Sequence, residues 1–136
     1  QRQMCIRDRA MSIFDRLLET DAEKLQEKEK TELKIKRLSD IVGEPFVVTC
    51  AALTEDQMVH VSEISKEGDF RANILLESCR IEGRRLSDKE LLNKLGVASG
   101  KDAIKALFSA GEISIIYSTI NRLSGYDDDA VTEIKN

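Results

Sequence analysis

The side chains able to do covalent or metal chemistry in this chain are few: one histidine, His60, and three cysteines, Cys5, Cys50 and Cys79. A structural metal site takes four thiolate or imidazole ligands and usually draws two of them from one element, at spacings such as CxxC or HxxxH. Neither spacing occurs, so no metal and no other cofactor is expected. A Cys–His nucleophile assembles in space and not in sequence. Yet Val48-Thr49-Cys50-Ala51 is a β-rich run of the kind that buries its cysteine, and a buried thiol is inert. Cys50 and Cys79 are therefore read as small core residues of an intracellular chain, and His60 as a surface or rim residue of a helix. No catalytic residues are expected, and the chain reads as a non-enzyme.

Three further stretches imitate functional motifs. Gly96-Val97-Ala98-Ser99-Gly100-Lys101 resembles a phosphate-binding loop, but that loop has four residues between its glycines and a Ser or Thr after the lysine. Here three residues intervene, Asp102 follows, and a helix precedes. Each residue is explained instead by a helix C-cap at Gly96, a short loop, and an N-cap at Ser99. Asp127-Asp128-Asp129 with Glu133 lacks the alternate ligands and central glycine of a calcium loop, and reads as a solvated acidic turn or the start of a short helix. Arg84-Arg85-Leu86-Ser87 suits a basophilic kinase, but Ser87 reads as the first residue of a capping box with Glu90.

These residues must be positioned by a small scaffold, and its first ten residues are set aside. Gln1 to Arg9 reads QRQMCIRDR, which looks like a translated adapter scar, with Met11 the favoured start. Removing Arg2, Arg7, Arg9 and Asp8 from 21 Lys+Arg and 25 Asp+Glu leaves 18 and 24, so the net charge moves from −4 to −6. An acidic chain with interspersed bases repels phosphate backbones, which argues against nucleic acid. No apolar run approaches the roughly 18 residues needed to span a bilayer, so a soluble cytoplasmic protein with no membrane partner is expected.

Hydrophobic period then sets the elements. Met11 to Leu25 reads as a helix with Phe14, Leu17, Leu18 and Leu25 apolar and a capping arrangement at Thr20–Glu23, followed by a charged linker. From Thr31 the period becomes two, and residues 31–38 are expected to pair with 46–53 as an antiparallel hairpin, the only sheet nucleus. Helices follow: one from a Thr54–Gln57 capping box, ended by Gly68; a short one around Ile74, Leu75 and Cys79, closed near Gly83; one after Ser87, ended by Gly96; one from Ser99 through Phe108; and an apolar one from Ile113 to Leu123, between Gly111 and Gly125. The expected fold class is α+β: a mainly helical single domain (31–126) with one hairpin, an N-terminal helical extension (11–30) and an acidic tail (127–136). An isolated hairpin is marginal in water, so it must pack on the helices or pair with a strand of another chain.

The last helix carries the candidate binding surface. Ile113, Ile116, Tyr117, Ile120 and Leu123 form one apolar stripe, widened by Ile115. Such a stripe is either core or a dock for a partner helix, and the sequence leaves both open.

Three segments taken together carry a resemblance. They are Thr31-Glu32-Leu33-Lys34-Ile35-Lys36-Arg37-Leu38 leading to Gly43-Glu44-Pro45-Phe46; Gly111-Glu112-Ile113 and Leu123-Ser124-Gly125-Tyr126 around the apolar helix; and the terminal Glu133-Ile134-Lys135-Asn136. In order and spacing the chain from about Ile13 to Asn136 resembles the XkdN-like tail assembly chaperones of contractile-tailed phages and prophages. The resemblance implies a non-enzymatic protein of the host cytoplasm that binds the tape measure protein, keeps it soluble during tail assembly, and is absent from the mature virion. It also implies that a programmed frameshift can append a second domain, so that a longer form of the chain itself becomes a possible partner. Self-association is left open. The alternative is a structural tail or neck component of the virion.

Overall fold

The computed structural model describes residues 12–127 and 129–134. In chain order the elements are α1 (Ile13–Glu19), α2 (Ala22–Leu25), β1 (Lys30–Lys34), α3 (Lys36–Val42), β2 (Val47–Ala51), α4 (Glu55–Ile64), α5 (Phe70–Ser78), β3 (Cys79–Ile81), β4 (Arg84–Arg85), α6 (Lys89–Leu95), α7 (Gly100–Leu107) and α8 (Ala110–Leu123). The fold class is α+β, as expected. The suspected scar, Met11, Asp128, Lys135 and Asn136 lie outside the described residues.

The expected pairing is present but shorter. β1 and β2 run antiparallel with Thr31 opposite Cys50 and Leu33 opposite Val48. Residues 36–38, expected to continue the strand, instead begin α3. The physical reason is Arg37. A strand continued past Ile35 turns Arg37 to the same face as Leu33, into the core. A helical turn buries Leu38 and points Arg37 out toward Glu112 and the Leu107 carbonyl. Gly43 ends α3 at φ 83°, a left-handed conformation that glycine adopts without penalty.

The hairpin is not the only sheet nucleus, and that expectation is corrected. The sheet has four strands in the order β1-β2-β3-β4. Cys79, expected to lie in a short helix closed near Gly83, instead opens β3 and sits opposite Cys50. β3 and β4 are joined by Glu82 and Gly83, both at positive φ (50° and 82°), the conformation of a two-residue primed turn that matches strand twist.

Several helix ends also differ from the sequence reading. The N-terminal helix is two pieces broken at Thr20, and its capping box is Ser12 with Asp15, not Thr20 with Glu23; the Thr20 hydroxyl donates to the Arg16 carbonyl. The cap of α6 is Asp88, which accepts from Glu90 N–H, so Ser87 is not the capping residue. α4 has the expected Thr54–Gln57 box, yet it ends at Ile64, four residues before Gly68. α7 stops at Leu107, and α8 begins before Gly111 with a Ser109–Glu112 box that the sequence reading missed.

α5 packs on α7 and α8, and α8 on β2. Val48, Cys50, Val61, Ile74, Leu75, Cys79, Ile104, Ile116 and Ile120 are fully buried between these elements. At about 25 cal/mol per Å² of apolar surface, this burial is the main stabilising term. The Ser78 hydroxyl ties α5 to the sheet, accepting from Ala51 N–H at 3.1 Å and donating to the Ala51 carbonyl at 2.7 Å.

Candidate functional site

The two cysteines read as separate core residues are brought together. Cys50 and Cys79 are cross-strand neighbours on the core face, with their sulfurs 3.9 Å apart and no exposed surface. Sequence separation hid this pair, because β3 went unrecognised. The hydrogen bond the Cys79 thiol makes to Cys50, and then burial, push it well above its ordinary value, the opposite of what a nucleophile needs. His60 lies exposed on α4, and among the described residues neither sulfur bonds to it. Nor does any group of three His, Cys, Asp or Glu there suit a metal ion.

The imitation phosphate loop is spent on structure. Gly96 ends α6 at φ 69°. Gly100 is buried where α7 crosses α5, and a Cβ there would meet Leu76 Cδ1 at 2.6 Å. Lys101 Nζ and Lys105 Nζ lie 2.9 and 2.7 Å from the two carboxylate oxygens of Asp69. Their hydrogen bonds, Lys105 first, hold Asp69 down to about 2. Ser99 occupies the N-cap position, but its hydroxyl donates to Asp102 and accepts no backbone bond. The loop thus offers a phosphate no free lysine.

Arg84, in the kinase-like run, is held by Asp88 and Glu90 at 2.8 Å each, and Leu86 is buried. Asp127, Asp129 and Glu133 are exposed, with one turn bond from Ala130 N–H to the Asp127 carbonyl. A groove of about 250 Å³ is floored by Phe46, Ile81, Leu91 and Leu107. That is below the roughly 300–1,000 Å³ of ordinary small-molecule sites.

The stripe on α8 divides by depth. Ile116 and Ile120 are fully buried against the sheet, while Ile113, Tyr117 and Leu123 are half-buried around them. By helical spacing Ile113 and Tyr117 share one flank, and Ile115, 67% exposed, lies on the opposite one. Tyr117 is fixed by an edge contact with Phe70, centroids 6.4 Å apart, and by the Arg71 guanidinium 5.4 Å from its ring centre. Larger exposed apolar groups stand on α1, where Ile13, Phe14, Leu17 and Leu18 form one face that packs on no core residue.

The fold and these sites define a small α+β domain whose near-motifs serve capping, burial and ion pairing. The chain belongs to the phage XkdN-like tail assembly chaperone family, whose family model matches residues 14–135. No curated protein and no solved structure matches it. Among the described residues no single helix is long and apolar enough to cross a membrane.

Proposed function

We propose that this protein binds the tape measure protein of its phage, keeps it soluble while the tail assembles, and does so without catalysis. The family match over residues 14–135 carries this reading. A tape measure is a long, helix-rich apolar chain, and such chains aggregate when left uncovered. An acidic body with apolar docking surface suits that task. The client helix lies against the half-buried residues that border the core of α8, Ile113 and Tyr117 on one flank and Leu123 on the other. Ile116 and Ile120, fully buried, hold α8 itself in place from behind. The protein works in the host cytoplasm, alone or with a longer frameshifted form of itself, and leaves before the virion is complete. Mass spectrometry of purified virions against infected-cell lysate tests this. Abundant peptides in the lysate and none in the particle are expected; stoichiometric protein in the particle makes it a tail or neck component instead.

A further inference from the structure

β1 is the end of the sheet: among the described residues no strand lies beyond it. The ladder identifies the groups left over. Ile35 N–H donates to the Phe46 carbonyl and Ala52 N–H to the Glu29 carbonyl. In the observed register, odd-numbered residues of β1 therefore turn their backbone groups to β2, and Lys30, Glu32 and Lys34 turn theirs outward. The side chains of these three are exposed. An open edge of this kind accepts another strand.

Charge selects the strand. Lysines commonly blunt such edges, and Lys30 and Lys34 alone repel an incoming copy. Glu32 between them makes the edge self-complementary. Antiparallel pairing of two β1 strands about a two-fold axis at Thr31 sets Glu32 of each copy opposite Lys30 of the other. An axis at Leu33 sets it opposite Lys34. Within Lys30–Lys34, only an axis at Glu32 itself opposes like charges; beyond the strand ends the first register brings Lys34 to Lys28 and the second Lys30 to Lys36.

A second observation lies on either side of the strand. α1, before it, exposes Phe14 (63%) and Leu18 (69%), and α3, after it, exposes Ile41 (68%) and Val42 (55%). In an antiparallel pair, the chain entering one β1 lies beside the chain leaving the other. The apolar face of each arm is thereby carried toward the other copy's α3. We propose that two copies of this chain join β1 to β1 as an antiparallel, two-fold dimer, merging two four-stranded sheets into one that the N-terminal arms clasp. This contact is isologous and closes on itself, and it stands independently of the tape measure reading.

Light scattering coupled to size exclusion, with sedimentation across a dilution series, tests this on the full chain. The expected mass is twice the 15.3 kDa chain, falling to one chain on dilution. Glu32→Lys places three lysines on the edge and should weaken the dimer; adding Lys30→Glu and Lys34→Glu restores a self-complementary edge and should restore it. Phe14→Ser with Leu18→Ser should weaken it about tenfold or more by removing the clasp. Glu32→Pro deletes an N–H that faces outward, so circular dichroism should stay unchanged while the dimer is lost. Should that variant misfold, the charge series decides. A wild-type monomer at every concentration, or a dimer whose affinity Glu32→Lys leaves untouched, overturns the proposal; the monomer would return the edge to an extended segment of another protein.

Discussion

Arg37 and Glu112, 75 positions apart in the chain, meet as a two-pronged ion pair, with Nη2–Oε1 at 2.8 Å and Nε–Oε2 at 3.0 Å. The same carboxylate accepts Ser109 N–H at 2.8 Å, so one side chain both caps α8 and ties it to α3. Arg37, more than any other group, lowers Glu112 from 4.5 to about 2. Asp69, on its two lysines, is lowered from 3.8 to about 2.

Both carboxylates bind protons more weakly folded than unfolded, so their stabilisation is present above the unfolded values and is lost as pH falls through the folded ones. Urea midpoints are therefore expected to stay level down to about pH 4.5 and to drop between there and pH 2. Glu112→Gln with Asp69→Asn should flatten that drop. An undiminished drop in the double variant would place the acid sensitivity elsewhere.

Gly100 sits where α7 approaches α5 most closely among the glycines, with Leu76 and the Ser87 Cβ in reach of an added methyl. Alanine is ordinarily the better helix former by up to about 1 kcal/mol, but forcing a methyl into packed space costs about 1–3 kcal/mol. The expected outcome of Gly100→Ala is a net loss of about 1 kcal/mol in denaturant unfolding. A gain would mean that Leu76 yields freely.

The paired thiols make a simple probe of the core. In a Cys5→Ser chain, Cys50 and Cys79 should ignore an aromatic disulfide reagent in the native state and both react once urea unfolds the protein. Rapid native labelling of either would contradict their complete burial.

What the sequence reveals, and what it hides, follows from how local each signal is. The β1–β2 pairing is legible because Leu33 and Ile35 alternate with lysines and the Phe46–Leu53 run is dense in β-formers. The helix at Lys36 is not, because what decides it is the distant partner of Arg37. β3 and β4 escape notice because they are three and two residues long, and their turn is Glu82-Gly83, not the commoner Asn-Gly or Asp-Gly. Ser109 with Glu112 does carry a capping-box spacing, and Gly111 two residues on masked it by suggesting a break. On α8 the apolar stripe is plain in sequence, but its division into buried Ile116 and Ile120 and half-buried Ile113, Tyr117 and Leu123 depends on the strands it covers.

That division separates two kinds of variant. Ile116→Ala removes a fully buried side chain and should cost about 3 kcal/mol of stability. Tyr117→Ser and Ile113→Ser remove half-buried flank residues and should leave a cooperative unfolding transition while weakening client binding. Equal loss of folding in all three would make the whole stripe core alone.

Co-expression with the tape measure protein of the same phage is the most direct measurement of the central claim. A soluble complex should co-purify through an affinity tag on the tape measure, and the tape measure expressed alone should sediment with the insoluble fraction. A tape measure that stays insoluble with this protein present, or that is soluble without ever binding it, would contradict a chaperone role toward that client.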